Sequence, residues 1–247
     1  MSALLQDLPE WPEVDFAAFG EIEVRKLSRV QKFAGGFLSR NWVAIPHVTH
    51  HDDADVTEME QRRRSHNATG GAKITAAALL VRALVVALRT FPQFNASLDP
   101  RAKAMVWKKY FHIGVAVETP DGLLVPVLRD CDRKSLTAIA GEIATVAEKA
   151  RTKGLSLTEM TGGCITLTSL GHIGGTGFSP IINAPEVAIL GATRVRPAPV
   201  PGPDSGVQWR QMLPLSLSYD HRVINGADAA RFVRCVADTL ASEELFA

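Results

Sequence analysis

The chain has 247 residues, of which 46% are hydrophobic and 21% are charged, and its formal net charge is +1. A globular protein of this size and composition can bury a substantial core. The near-neutral charge favours neither nucleic acid nor an anionic membrane surface as a partner.

The N-terminal segment, residues 1–15, carries prolines and acidic residues and is predicted to be the remainder of a linker, followed by one domain over residues 16–247. It has no basic region followed by an apolar run, which argues against a signal peptide. The three cysteines, Cys131, Cys164 and Cys235, are far apart, so we expect buried thiols in a reducing compartment. We therefore expect a soluble, cytoplasmic protein without membrane spans.

Helix patterns occur in four segments, in which apolar residues recur at helical spacing. Asp55, with Glu58 three residues later, has the spacing of a capping box, and Ser135 is a second capping residue. Pro92 and Gly154 mark helix ends. The predicted helices cover residues 55–64, 74–91, 135–154 and 226–241.

Strand patterns lie between these helices and are rich in β-branched residues. The predicted strands cover residues 110–119, 123–129, 164–170, 187–193 and 212–219. A Pro/Gly-rich stretch at 195–206 predicts a surface hairpin loop. Strands distributed among helices indicate an α/β two-layer sandwich, in which helices cover a mixed sheet.

The segment "LSLSYDHRVINGADAARF" places His221 where a predicted strand ends and a helix begins. A neutral imidazole at such an edge can act as a general base toward a thiol or hydroxyl. In the alternative interpretation, Asp220 and Arg222 form a structural ion pair around a space-filling His221. Asn225 also has a structural interpretation, as the N-cap of the last helix with Asp228 in its first turn.

A second candidate site is the strand end in "GGCITLTSLGHIGGTG", where Thr168 and Ser169 precede a glycine-rich loop. A hydroxyl there can donate a hydrogen bond to an oxyanion, although local capping is the commoner role of such hydroxyls. The glycines do not form a phosphate-binding loop, because no Gly-Lys-Ser/Thr follows. In "IPHVTHHDDAD", the adjacent His50 and His51 point to opposite faces of a strand, so no metal site is expected.

Several of these segments together resemble a known family. They occur in the same order in the C-terminal catalytic domain of the dihydrolipoamide acyltransferases, the core components of 2-oxo acid dehydrogenase complexes. The segment "GHIGGTGFSPIINAPEVAILG" most resembles the acetyl-transferring branch of the family, which is associated with pyruvate dehydrogenase. The segments are "SRNWVAIPHVT", "FPQFNASL", "HIGVAVETPDGLLVPVLRD", "TGGCITLTSLGHIGGT", "PIINAPEVAILG" and "DHRVINGADAARF".

The resemblance implies a chloramphenicol acetyltransferase-like fold and a homotrimer, with trimers able to assemble into a larger cage. Active sites would lie in channels between subunits, which coenzyme A and the lipoyl arm enter from opposite ends. The implied partners are a 2-oxo acid decarboxylase and a dihydrolipoamide dehydrogenase. Because neither a lipoyl domain nor a domain that binds those partners is present, we expect a catalytic core of a longer protein or one that receives its donor in trans.

The resemblance also implies residue roles. The catalytic base maps to His221 and the oxyanion-binding hydroxyl to Thr168. Asn225 stands where many family members have aspartate, and we expect it to maintain geometry by hydrogen bonding. The implied substrate contacts are Ser169, Ser97, Asp99, Arg40 and Phe178, with Ser97, Asp99 and Arg40 on coenzyme A.

The implied reaction is acetyl transfer from S-acetyldihydrolipoamide to coenzyme A, without a metal. Three alternatives remain open at this point. The chain could transfer a different acyl group, serve as a non-catalytic structural subunit of such a complex, or acetylate the hydroxyl group of an antibiotic.

Overall fold

The structure, a computed structural model, describes residues 11–70, 72–99, 101, 103–203 and 206–246. Residues 1–10 of the predicted linker lie outside this part, and residues 11–15 are exposed. Within the described residues, five α-helices form: α1 Arg29–Ala44, α2 Thr57–Ala68, α3 Ala76–Thr90, α4 Leu136–Thr152 and α5 Gly226–Ala241. None of the described helices is both long enough and apolar enough to cross a bilayer.

The strands of the described chain are β1 His47–Asp55, β2 Ala96–Asp99, β3 Ala104–Trp107, β4 Ile113–Val115, β5 Val117–Thr119, β6 Gly122–Leu124, β7 Val127–Leu128, β8 Ile165–Ser169, β9 Ala188–Ala192, β10 Arg196–Pro201 and β11 Val207–Asp220. Short 3₁₀ turns connect several of them.

The main sheet has the strand order β1-β11-β9-β8-β4-β7, and β10 pairs with β11 beside this path. β8 lies parallel to both β4 and β9, whereas the other neighbours in the main sheet pair antiparallel. Two small antiparallel hairpins, β2-β3 and β5-β6, lie outside it. The mixed sheet with helices confirms the predicted fold class.

One face of the sheet is apolar and packs against the helices. Alternate residues of β11, such as Leu215 and Leu217, are buried in a core that also contains Leu84 of α3 and Phe232 of α5. This alternation is the period of a strand, and it was the signal that predicted β11. Burial of these side chains provides the main favourable term for folding.

The opposite face of the sheet is polar. Ser216 and Ser218 of β11 and Thr166 of β8 point to this face and are buried. The connection from β8 to β9 covers part of it: residues 170–187 form an irregular loop rather than the helix that commonly joins parallel strands. The polar face is therefore covered by chain that carries glycines and polar side chains.

The helix α1 was not predicted from the sequence. Its N-terminus has a capping box, in which Ser28 Oγ accepts from Gln31 N and Gln31 Oε1 accepts from Ser28 N. Its apolar side chains are largely exposed; Trp42, for example, is 61% exposed. The helix lacks the apolar stripe toward its own core that normally reveals a helix in a sequence.

The predicted helix start at Asp55 is wrong. Asp55 is the last residue of β1, paired with Met212, and α2 begins at Thr57 after Val56. The Asp55 carboxylate accepts hydrogen bonds from the Thr57 amide and from Arg210 Nε, so the residue ends the strand instead of capping the helix in a capping box.

The predicted strands at 110–119 and 123–129 are each broken in two. Ala116 N donates to Leu167 O between β4 and β5. Pro126, which has no N–H to donate, stands between β6 and β7. The stretch at 195–206 does form the predicted hairpin, but residues 196–201 are the strand β10 rather than loop.

Candidate active site

A tight turn directly after β11 presents His221. The carbonyl of Asp220 accepts hydrogen bonds from the amides of Val223 and Ile224, and His221 N donates to the Pro46 carbonyl at 3.1 Å. The His221 side chain is exposed, with its ring centroid 5.7 Å from that of Tyr219. The backbone is fixed on both sides of an accessible imidazole, which is the arrangement that a general base needs.

The two charged neighbours of His221 bind each other. Asp220 is 2% exposed, and its carboxylate accepts from Arg222 Nε at 2.9 Å and from Arg222 Nη2 at 2.6 Å. The Arg222 amide donates to the same carboxylate. The predicted Asp220–Arg222 ion pair is confirmed, and it holds the turn together, because a buried carboxylate needs such partners.

Asn225 caps helix α5. Its Oδ1 accepts from Asp228 N at 2.9 Å, and its Nδ2 donates to Asp228 Oδ2 at 2.8 Å. The N-cap interpretation of Asn225 is therefore confirmed. Through this cap, Asn225 fixes where α5 begins, at Gly226, five residues after His221.

Thr168 lies near the end of β8 on the polar face, where it is half-buried and pairs with Gly191 of β9. Ser169 is exposed, and because successive strand residues alternate, its side chain points away from that of Thr168. The Ser169 hydroxyl accepts a hydrogen bond from Gly171 N at 3.4 Å, a local turn contact. Of the two hydroxyls, that of Thr168 faces the polar surface.

Phe178 covers the sheet beside Thr168. A Cβ atom on Gly191 would lie 2.6 Å from Phe178 Cζ, so the ring requires a glycine at that position. The Phe178 amide donates to Ser216 Oγ at 3.3 Å, and Ser216 Oγ also contacts His51 Nδ1 at 2.9 Å. The Phe178 ring thus lies against Gly191, the residue that pairs with Thr168.

Thr168 and His221 of one chain lie far apart. Thr168 is in register with Gly191, which pairs with Ser216 of β11. Ser216 precedes His221 by five residues, roughly 16 Å at the rise of an extended strand. A carbonyl group hydrogen-bonded to Thr168 is therefore out of reach of His221 in the same chain.

A family model described as "2-oxoacid dehydrogenases acyltransferase (catalytic domain)" matches residues 19–247. The chain belongs to this acyltransferase family. The match covers most of the predicted domain at 16–247, while the boundary with a linker stays a prediction.

Acetyltransferases are among the relatives to which this chain is similar. The dihydrolipoyllysine-residue acetyltransferase component of the pyruvate dehydrogenase complex of Pseudomonas aeruginosa is 52% identical over 237 residues, which cover 95% of this chain and 43% of the relative. The corresponding component of Azotobacter vinelandii is 52% identical over 231 residues, covering 92% of this chain and 36% of the relative. The chain thus spans less than half the length of these relatives.

Solved structures show the same fold. One comes from crystallographic and enzymatic investigations of a serine, a histidine and an asparagine in the catalytic mechanism of the Azotobacter vinelandii dihydrolipoamide acetyltransferase. It has a TM-score of 0.93 and 50% identity, and the match covers 97% of this chain and 99% of that one. The cubic core of the pyruvate dehydrogenase multienzyme complex has a TM-score of 0.92 and 50% identity, with the same coverage. A chloramphenicol acetyltransferase, 15% identical, has a TM-score of 0.55 with coverage of 82% and 94%, which shows a shared fold alone.

The predicted coenzyme A contacts lie on two elements of the chain. Arg40 is on α1, where its guanidinium donates to Asn41 Oδ1 and lies 4.6 Å from the centre of the Phe37 ring. Ser97 and Asp99 are on β2. The Ser97 hydroxyl is buried without a hydrogen-bond partner among the described residues, and Asp99 Oδ1 accepts from Arg101 N at 2.9 Å.

The aspartates of β1 are held by arginines. The pairs are Asp52 with Arg234, Asp53 with Arg196 and Asp55 with Arg210. Across the described ranges, no group of three or more His, Cys, Asp and Glu side chains is arranged to hold a metal ion.

A buried polar cluster on the polar face was not predicted from the sequence. Glu186, 4% exposed, accepts from Thr166 Oγ1 at 2.6 Å through Oε2 and from Asn183 Nδ2 at 3.4 Å through Oε1. Burial raises the pKa of the Glu186 carboxyl group to about 7. The sequence shows only a glutamate directly before an apolar strand. Because glutamate side chains are seldom fully buried, this pattern does not by itself predict the cluster.

Proposed function

We propose that this domain transfers an acetyl group from S-acetyldihydrolipoamide to coenzyme A as the core of a pyruvate dehydrogenase complex. The observation that carries the proposal is the 52% identity to an acetyltransferase component across 95% of this chain. The groups that the reaction needs are present: an exposed imidazole on a fixed turn and a hydroxyl at a strand end.

In this proposal, His221 is the base. One of its ring nitrogens takes the proton from the coenzyme A thiol, whose ordinary pKa near 8.5 leaves little thiolate at neutral pH. The thiolate sulfur attacks the carbonyl carbon of the acetyl thioester and forms a new C–S bond. The C–S bond to dihydrolipoamide then breaks, and His221 returns the proton to the departing sulfur.

Thr168 of a neighbouring copy is the proposed oxyanion donor. During the attack, negative charge develops on the carbonyl oxygen, and a pre-positioned hydroxyl stabilises it. The separation of Thr168 and His221 within one chain supports a site built from two copies. Similarity to a cubic core supports a trimer as the unit of a larger assembly.

We propose that Asn225 assists by fixing the start of α5 next to the His221 turn. In the Azotobacter vinelandii acetyltransferase, the asparagine studied stands four positions after the histidine, as Asn225 follows His221 here. That study names one serine, whereas this chain has Thr168 and Ser169 side by side, so both hydroxyls require a test.

The proposed substrate contacts are Phe178, Ser169 and, for coenzyme A, Ser97, Asp99 and Arg40. The lipoyl group reaches the site on another domain, and the decarboxylase and dihydrolipoamide dehydrogenase of the complex are the proposed partners. All three cysteines are free thiols, which supports a location in the reducing cytoplasm.

Acetyl-CoA formation from S-acetyldihydrolipoamide and coenzyme A tests the proposal. We expect His221→Ala to lower kcat by about 10²–10⁴ and Thr168→Val by about 10²–10³, with the oligomer intact. His66→Ala, which changes a histidine on α2, is the matched control that should turn over normally. Ser169→Ala measures separately what the neighbouring hydroxyl contributes. Unimpaired turnover by His221→Ala would refute the assignment. Parallel assays with propionyl and succinyl donors test the acyl group.

A further inference from the structure

The carboxyl group of Glu186 lies next to the strand that carries the proposed oxyanion donor. Thr166, to which it is hydrogen-bonded, precedes Thr168 by two residues on β8, so both side chains are on the same face. Asn183 Nδ2 also lies 3.4 Å from Thr166 Oγ1, and Glu186 N donates to Asn183 O. The cluster therefore ties the loop before β9 to the centre of β8.

The backbone around the cluster leaves it no free space. A Cβ atom on Gly163 would lie 2.5 Å from Glu186 Oε1, and one on Gly114 would lie 2.8 Å from Thr166 Oγ1. Two segments distant in sequence thus approach the carboxyl and hydroxyl groups at positions where they have no side chain. Glu186 is held in one place, and a change in its charge acts on a closely packed structure.

Two other titratable groups face Glu186. Lys108 Nζ donates to the Gly163 carbonyl at 2.9 Å, and its positive charge favours the ionised form of Glu186. Cys164 is buried next to Gly163, and the loss of water around it raises its pKa. Burial outweighs the influence of Lys108, because the pKa of Glu186 is raised overall, to about 7.

Ionisation of Glu186 opposes the charge that develops in the reaction. Like charges repel strongly where little water screens them, and the oxyanion held by Thr168 would form on the same face of β8. We propose that Glu186 is a positioning residue for acyl transfer that acts on Thr168 through Thr166 and, when ionised, slows the reaction. This inference rests on the acyl-transfer function proposed above.

The test compares the wild type with Glu186→Gln, which keeps the shape of the side chain but carries no charge. The constants kcat and KM for both substrates are measured from about pH 6 to about pH 9, on either side of the Glu186 pKa. We expect kcat of Glu186→Gln relative to wild type to rise several-fold over this range, with the KM values unchanged. Glu60→Gln, which changes another buried carboxyl group on α2, is the control, and its kcat ratio should stay constant.

Thr166→Val is a second variant that leaves the carboxyl group in place and removes the hydroxyl that links it to β8. Its kcat should change less with pH than that of the wild type. The inference is overturned if the kcat of Glu186→Gln relative to wild type stays constant with pH, or if kcat and KM change together. If Glu186→Gln does not fold, a Thr166→Val profile parallel to that of the wild type overturns it. Turnover of the wild type itself tests the proposed function separately.

Discussion

The imidazole of His221 stands between two residues that are engaged with each other. Because Asp220 and Arg222 form a bidentate pair, neither orients the ring directly. The His221 amide and the Pro46 carbonyl instead fix the backbone that carries it. The imidazole is positioned mainly through the main chain, so substitutions of nearby side chains should affect stability more than the chemistry of the imidazole.

Asn225 provides a test of that distinction. Asn225→Ala removes the side-chain acceptor for Asp228 N, and we expect a loss of about 1 kcal/mol in the free energy of unfolding. Asn225→Asp retains a good N-cap acceptor, but it places a second carboxylate beside Asp228, so we expect a smaller loss. Chemical denaturation of both variants measures the difference. Equal stability of Asn225→Ala and the wild type would contradict the capping role.

At the scale of elements, most strands and helices that contact the core were predicted, whereas β1, which adds Ala54 to the core, and α1 were not. The strands β8, β9 and β11 and the helices α3 to α5 show their burial as alternation or helical periodicity. The helix α1 has two adjacent glycines and exposes Phe33, Phe37 and Trp42. Its sequence therefore lacks the apolar periodicity of a helix that packs on the core of the same chain. Hydrophobic periodicity indicates which side chains are buried within one chain, and few side chains of α1 are buried.

The candidate site was predictable only in part for a related reason. His221 and Thr168 stand at strand ends, where a local pattern indicates them. Glu186 owes its character to Gly163, which is distant in sequence and approaches it without a side chain, and Gly114 approaches its partner Thr166 in the same way. A single sequence does not show which glycines surround a given carboxyl group.

The contact between Gly191 and Phe178 joins β9 to the loop above it. Gly191→Ala places a methyl group 2.6 Å from the ring, and we expect a loss of about 1–3 kcal/mol in stability. Gly35→Ala in α1, where nothing lies within 4 Å of the added carbon, should stabilise the protein by about 0.5–1 kcal/mol. Thermal unfolding should show a lower melting temperature for Gly191→Ala and a higher one for Gly35→Ala than for the wild type. A neutral Gly191→Ala would show that the ring moves away freely.

For the whole molecule, the separation of Thr168 from His221 within one chain gives a test of the proposed site between two copies. Inactive His221→Ala and Thr168→Val chains should complement each other when refolded together. With random mixing in a symmetric ring, about a quarter of the sites between chains would combine one intact residue from each variant. Acetyl transfer by the mixture should reach about a quarter of the wild-type rate, and a mixture as inactive as its components would place both residues in one chain.

The hairpin of β10 and β11 affects whether further copies can add to the edge of the sheet. The prolines of β10, at positions 197, 199 and 201, alternate along the strand, so their missing N–H groups all fall on the same side. The residues between them can still bond to β11, whereas an incoming strand would find few donors on the outer side. Fibre-like extension by edge-to-edge pairing is thereby disfavoured at this margin, and association is left to surfaces that close on themselves.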